Sequence, residues 1–326
     1  MRLFVCLIDS DGRGIPDAVR REHERVPRAR GLEFEWRSTT GLSVLLATND
    51  LPADSLLAGH GGWLAVGTAR LDNRAELEQW AGCRGQHLSE LEVVLRLVAR
   101  NGAGSVLRIL GDFAFLVWNG GERTGVAACD AFAVRKLHYA ARTGFLAFAS
   151  RAEALAIDDQ YDVQFLAEWA AGAALSPGLT VYDGVRALPA GHFASVEGGR
   201  LKVQEYWSPR NIEPAPPSSI PEHEAAAMLR ELITHAVRLR LGNEGNAWAQ
   251  LSGGLDSSSV VSVAQWLAER GAVAHGLAGT VTYVDRQGTG ADEREYSDAV
   301  VSRWGVRNET IVDPPIWCDD RDPPPL

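Results

Sequence analysis

Through the first two hundred positions, apolar residues come in short blocks broken by glycine and polar turns: Leu3–Ile8, Ser43–Ala47, Trp63–Thr68, Phe113–Trp118, Gly125–Cys129 and Phe145–Ala149. Blocks of this length, closely spaced, predict many short strands and hence sheets packed on sheets. Helical spacing interrupts them at Ser89–Arg100, where Leu91, Val94, Leu95 and Val98 fall on one face, and more weakly at Phe165–Ala174. Two more strands, Gly191–Val196 and Leu201–Tyr206, flank Glu197-Gly198-Gly199-Arg200, a hairpin turn.

The pattern changes after Trp207. Pro209, Pro214, Pro216, Pro217 and Pro221 cluster with Ser218 and Ser219, a stretch that sustains neither a helix nor a sheet ladder. This predicts a domain over 1–208, a proline-rich linker over 209–221 and a second domain over 222–326. In the second domain a helix (Glu222–Leu241), a strand (Ala247–Leu251), a helix (Ser257–Arg270, ended by Gly271), a strand (Ala278–Tyr283) and a helix (Glu293–Trp304) alternate. That order predicts a parallel sheet wrapped by helices, so the chain reads as an α+β domain followed by the start of an α/β one. There is no internal repeat.

A length of 326 residues with 46% hydrophobic residues suffices for two cores. The net charge of −10 argues against a broad nucleic-acid footprint. Met1–Ile8 is too short for a signal-peptide core, and Asp9, Asp11 and Arg20-Arg21-Glu22 break any longer apolar run. The expectation is a soluble cytoplasmic protein with no membrane partner. Cys6, Cys83, Cys129 and Cys318 lie far apart with no C-x-x-C pair, so they read as reduced thiols rather than a zinc site or a disulfide framework.

The chemistry concentrates in Leu251-Ser252-Gly253-Gly254-Leu255-Asp256-Ser257-Ser258-Ser259, between an apolar strand and an amphipathic helix. Two glycines allow a tight turn and close backbone approach, and the free N–H groups of a helix start favour an anion. Ser252, Ser257 and Ser258 are donors for phosphate oxygens, and Asp256 is a ligand for a magnesium ion bridging them. No G-x-x-x-x-G-K-[ST] loop is present. The plainer alternative is an ordinary turn with Asp256 as helix N-cap and solvent-facing serines. The full string in a strand–loop–helix setting favours phosphate.

This string resembles S-G-G-x-D-S, the pyrophosphate loop of ATP pyrophosphatases, in the L-S-G-G-L-D-S-S form typical of asparagine synthetases and their relatives. The resemblance implies binding of ATP and Mg²⁺ by Leu251, Ser252, Gly253, Gly254, Asp256, Ser257 and Ser258, with Asp256 as metal ligand. It also implies attack of a substrate carboxylate on the α-phosphorus to give an acyl-adenylate. Thr280-Val281-Thr282-Tyr283 looks like the family's adenine-contacting strand, with Val281 as a contact; a plain buried strand accounts for it equally well. Asp292-Glu293-Arg294-Glu295-Tyr296 resembles the acidic start of the next helix, which the helix dipole alone explains.

Gly111-Asp112-Phe113-Ala114-Phe115, Asp130-Ala131-Phe132-Ala133-Val134-Arg135-Lys136-Leu137-His138-Tyr139 and Phe148-Ala149-Ser150-Arg151-Ala152-Glu153-Ala154-Leu155 resemble G-D-F-A-F, D-x-F-G-x-R-x-L-Y-Y and F-A-S-E-x-x-A-L of the preceding glutamine amidotransferase domain. Val185–His192 and Tyr206-Trp207 resemble its closing strands. The matches run from about Leu71 to Glu309 and imply a fold like that of the N-terminal-nucleophile hydrolases. An active glutaminase of this class has cysteine directly after the initiator methionine, with its own α-amine as base. Here that position is Arg2, Val5-Cys6-Leu7 reads as the interior of a buried strand, and the family's N-G-E-I-Y-N segment is replaced by Thr68–Leu77. Glutamine hydrolysis is expected to be absent.

Two branches of the family with that loss are the lasso-peptide macrolactam cyclases and the β-lactam synthetases, in which the amine belongs to the substrate itself. The Leu71-Asp72-Asn73-Arg74-Ala75-Glu76-Leu77 string resembles the cyclases. Their partners would be a precursor peptide together with leader-peptide-binding and protease proteins. An ammonia-using asparagine synthetase with a small carboxylate substrate, or a non-catalytic scaffold, are the alternatives. The S-G-E-G-x-D-E segment that completes the metal site in such synthetases has no counterpart between Glu309 and Leu326. Asp319-Asp320 reads as a solvated acidic loop among prolines. Completion is expected from further sequence or a second chain, or else the nucleotide domain is degenerate.

Overall fold

The apolar blocks of the first half become strands in the computed structural model, which describes residues 2–49, 53–157, 160–173, 176–213, 220–242, 244–284 and 293–312. The chain divides into two units, Met1–Glu213 and Pro214–Leu326. The linker prolines from Pro214 to Pro217, residue Asp292, Cys318 and the Asp319-Asp320 pair lie outside the described residues.

Among the described residues the first unit contains the strands β1 (Arg2–Asp9), β2 (Glu33–Thr39), β3 (Leu42–Thr48), β4 (Leu57–His60), β5 (Trp63–Leu71), β6 (Gly111–Asn119), β7 (Thr124–Cys129), β8 (His138–Arg142), β9 (Phe145–Ala149), β10 (Arg186–Ala187), β11 (His192–Glu197) and β12 (Arg200–Glu205). They form two antiparallel sheets, ordered β10-β8-β9-β1-β3-β2 and β12-β11-β7-β6-β5-β4. The α-helices α1 (Asp17–His23), α2 (Arg25–Ala29), α3 (Arg74–Ala81), α4 (Glu90–Asn101) and α5 (Val163–Ala170) accompany them.

The middles of the central strands β1 and β6 are apolar on both faces because both faces of each sheet are covered. On β1, Phe4, Cys6 and Ile8 face the inter-sheet core with Leu116 and Trp118 of β6, while Leu3, Val5 and Leu7 join an outer core with Val19 and Val26 from α1 and α2. On β6, Phe113, Phe115 and Val117 turn the other way, onto Leu91, Val94 and Val98 of α4. The result is a helix–sheet–sheet–helix sandwich, as the sequence pattern predicts. Ser89 stands just outside α4 as its cap: its hydroxyl accepts from Glu92 N at 3.2 Å while its own N–H donates to the Glu92 carboxylate at 2.7 Å. The predicted hairpin closes with Gly198 and Gly199 both at positive φ, the conformation a two-residue turn needs to match strand twist. The second predicted helix starts earlier, at Val163, because Asp162 caps it by accepting from Phe165 N.

One buried carboxylate organises the loop after β7. Asp130 is 1% exposed. Its Oδ2 accepts from Phe113 N at 3.2 Å and Arg135 N at 2.9 Å, and its Oδ1 from Phe132 N at 3.1 Å and Val134 N at 2.9 Å. Its own carbonyl accepts from Gly191 N, so β6, the 130–135 loop and the approach to β11 share one residue. The tight wrap forces Ala133 to φ 48°, a left-handed value unfavourable for a side chain and natural to the glycine of D-x-F-G-x-R.

The second unit contains α6 (Glu222–Leu241), β13 (Trp248–Gln250), α7 (Leu255–Glu269), β14 (Gly279–Val284), α8 (Arg294–Trp304) and β15 (Asn308–Val312). The strands are parallel in the order β13-β14-β15. Val237 and Leu241 of α6 pack on Ala264 and Leu267 of α7, and Leu251 packs on Val261 and Val306. Among the described residues no helix is long and apolar enough to cross a membrane.

Two outcomes follow from the buried polar groups. Asp130→Asn replaces half of the acceptor set with a donor facing N–H groups, and chemical denaturation should show a loss of about 3 kcal/mol. His138, at the start of β8, is buried with no partner for Nδ1, and burial pushes its pKa down to about 4. The unfolded chain therefore binds a proton that the folded ring refuses between that value and the ordinary pKa of about 6.5. Stability should fall as pH drops through this window, and a His138→Gln variant should show a shallower fall over the same range.

Candidate functional site

The predicted phosphate-loop residues come together at the carboxyl end of β13. Pairing with β14 extends past the strand, since Leu251 N donates to the Val281 carbonyl at 2.9 Å and the Thr282 hydroxyl donates to the Leu251 carbonyl at 2.9 Å. Leu251 is fully buried, and the chain emerges at Ser252, which is exposed. The turn then closes on itself. The Ser252 and Ser257 hydroxyls lie 3.0 Å apart, Ser252 N donates to Ser257 Oγ, Gly254 N donates to Ser252 Oγ, and Ser257 Oγ donates to the Gly254 carbonyl.

Gly253 adopts φ 94°, and a Cβ there would collide with the backbone oxygen of Glu293, the residue before α8. Glycine is required twice over, by conformation and by contact. Gly254, rather than Asp256, is the N-cap of α7, and no side chain caps the helix. The first-turn N–H groups of α7 thus have no side-chain acceptor, and the dipole there favours an anion. Asp256 lies exposed in that first turn, while Ser257 and Ser258 are half-buried. Among the described residues no group of three or more His, Cys, Asp or Glu side chains forms a metal site. A magnesium ion at Asp256 would fit the pattern of one carboxylate with phosphate oxygens completing its shell.

The Thr280–Tyr283 segment divides by face. Thr280 and Thr282 are buried, and both hydroxyls bond within the unit, to Asn308 Oδ1 and to the carbonyls of Arg307 and Leu251. Half-buried Val281 and Tyr283, 51% exposed, occupy the alternate positions. Thr282 was not among the predicted site residues, yet it holds the strand end from which the loop departs; its signal is a hydroxyl at a buried strand position.

In the first unit, a cavity of about 520 Å³ opens beside the start of β1, lined among others by Arg2, Phe4, Thr68, Arg135, Lys136 and Ser150. None of the three described cysteines lines it. Cys6 is buried at mid-strand and its thiol is pushed well above the usual range by burial; burial also raises Cys83 and takes Cys129 up to about 12. The thiols described are poor nucleophiles. The Leu71–Leu77 string is a structural joint: Asp72 pairs with Arg70, Arg74 with Glu78 at 2.7 Å, and Asn73 bridges Arg108 O and Leu110 N.

Two family matches fit this layout. Residues 71–207 match the glutamine amidotransferase domain and residues 228–315 match asparagine synthase. In succession they support an asparagine-synthetase-like chain, with an amidotransferase-like first unit and a synthase-like second. The relatives include the amidase chry2 of Gibberella zeae, 27% identical over 261 residues, which are 76% of this chain and 38% of that protein. They also include the glutamine-hydrolyzing asparagine synthetase 3 of Bacillus subtilis, 26% identical over 202 residues, 60% of this chain and 32% of that one. This chain thus spans about a third of the length of these relatives. Among solved structures, the glutamine phosphoribosylpyrophosphate amidotransferase of B. subtilis aligns over 94% of this chain and 59% of its own, at 16% identity and a TM-score of 0.37, too loose to bear on the site.

The two loop glycines should respond differently to a methyl group. Gly253→Ala should lower stability by about 1–3 kcal/mol, from positive φ and the Glu293 collision. Gly254→Ala, at φ −68° with only Ser252 Oγ nearby at 3.4 Å, should stay within about 0.5 kcal/mol in the same denaturation measurement.

Proposed function

We propose that this chain acts in an ATP- and magnesium-dependent ligase that adenylates a carboxylate and joins it to an amine. The observation that carries this reading is the uncapped start of α7, with Gly253 pressed against Glu293 and the Ser252–Ser257 pair holding the turn closed. In this reading the backbone N–H groups of the α7 first turn, with the hydroxyls of Ser252, Ser257 and Ser258, bind the pyrophosphate portion of ATP. Asp256 holds the magnesium ion, and Val281 lies on the strand beside the nucleotide. Magnesium bound there would supply charge neutralisation on the departing pyrophosphate. The loop's share is to hold donors in place before charge develops, so that little reorganisation accompanies the step.

The nitrogen comes from an amine other than glutamine's. Support lies in the first unit, where Arg2 lines the cavity, no described cysteine does, and Cys6 is sealed in the core. Of the amine sources that remain, an amine within the substrate itself fits the resemblance best. The finer proposal is macrolactam closure of a ribosomal, lasso-type precursor peptide, with leader-peptide-binding and protease proteins as partners in the cytoplasm. The amine then needs only to be neutral and held close, so positioning supplies much of the rate. A second reading is an ammonia-using asparagine synthetase or β-lactam synthetase acting on a small carboxylate; the glutamine-hydrolyzing asparagine synthetases among the relatives support its synthetase step alone.

Carboxylate-dependent exchange of labelled pyrophosphate into ATP by the full-length protein tests the proposal. AMP and pyrophosphate are the expected products, with no glutamate released from glutamine; ADP and phosphate would rule out adenylation. Precursor peptides that stimulate exchange where aspartate does not would select the macrolactam reading. Asp256→Ala should reduce exchange by at least about 100-fold with an unchanged circular dichroism spectrum, and full activity in that variant would remove the metal assignment.

A further inference from the structure

The chain carries a net charge of −10, yet the charged residues lining the 520 Å³ cavity of the first unit, Arg2, Arg135, Lys136 and Arg151, are all cationic. Arg151 has a carboxylate partner, Glu153, which Arg30 also engages at 3.2 Å. Among the described residues no carboxylate pairs with Arg2, Arg135 or Lys136. Like charges gathered around a concave surface repel one another, and the repulsion is relieved when an anion enters. We infer that this cavity is a binding site for a small polyanion of the phosphate class, separate from the nucleotide loop of the second unit.

The surroundings suit that ligand. Buried Phe4, Leu56 and Ala114 supply the apolar part of the lining, while Arg2, Arg135 and Lys136 are exposed, so their pull on an anion is strongest at low salt. Ser150 Oγ accepts from Phe4 N at 3.2 Å, leaving its proton available to donate, and Thr68 adds a second hydroxyl. Arg135 and Lys136 sit on a rigid support, because the Arg135 amide is anchored to the buried Asp130 carboxylate. Arg2 opens β1 in register with Thr48. The volume falls within the ordinary range for small-ligand pockets, enough for a phosphate group with a small body attached. Three cations without acidic partners call for two or more negative charges on one compact molecule. A phosphomonoester or pyrophosphate meets that, and a single carboxylate does not. Guanidinium forks also match phosphate oxygens in pairs.

Titration calorimetry of the full chain at low salt tests the site, with pyrophosphate, a sugar phosphate and glutarate as separate probes. A Ser257→Asp background, which sets a carboxylate among the donors of the α7 first turn, removes pyrophosphate binding by the second unit. Saturable binding of pyrophosphate or the sugar phosphate in that background, weakened at least tenfold by Arg2→Gln with Arg135→Gln, is expected; which of the two binds more tightly separates a free inorganic anion from a phosphate ester. Absence of saturable binding, equal binding by the double variant, or glutarate binding as tightly as both phosphates would overturn the inference. Should the double variant fail to fold, mass-spectrometric footprinting of the unsubstituted chain decides. The preferred phosphate should slow acylation of Lys136 at least fivefold while Lys202 reacts unchanged, and equal rates at both lysines would refute the site.

Discussion

A carboxylate shut away from water must find donors for its oxygens, and at Asp130 that demand shapes the first unit. Four backbone N–H groups converge on it, from β6 and from the loop that follows β7, and its carbonyl reaches toward β11. Charge-assisted bonds of this kind are among the stronger ones available to a backbone. Without Asp130 the 130–135 segment would have no reason to curl, and Ala133 would not be driven to positive φ. The sandwich core supplies the burial that makes those bonds strong, and the bonds fix the backbone that carries Arg135.

The second unit solves a related problem with opposite means. Its loop contains no buried charge and no lysine, only glycine, serine and the exposed end of a helix. Fixed backbone dipoles provide the positive potential, while Thr282 and Leu251 anchor the strand from which the turn departs. One unit gathers cationic side chains around a cavity, and the other presents amides from a tight turn. In both, the fold places in advance the backbone that carries the site.

Much of this architecture is legible in the linear pattern, for reasons that differ by element. Phe145–Ala149 coincides with β9, and the Leu3–Ile8 and Phe113–Trp118 blocks form the hearts of β1 and β6, because two-sided burial makes central strands continuous in hydrophobicity. β2, with Glu33, Glu35 and Arg37, is an edge strand with little burial and left no such trace. The short α1, α2 and α3 carry too few turns for a helical period to stand out. The Leu251–Ser259 string was readable as a candidate site because it is contiguous. Its contact with Glu293 was not, since forty residues separate them in sequence, and neither was the meeting of Arg2 with Arg135, which only the sheet order β8-β9-β1 brings about.

The wrapped loop after β7 also has a temporal meaning. An irregular segment at the rim of a sandwich ordinarily flickers open on the nanosecond-to-microsecond scale, independently of the core beneath it. Here the segment opens only if Phe132, Val134 and Arg135 release a charge that has no water to receive it. Its motion is thereby tied to the slow clock of cooperative unfolding. Arg135 and Lys136 keep one backbone frame for the lifetime of the folded state, and only their side chains remain free to respond to what enters the cavity.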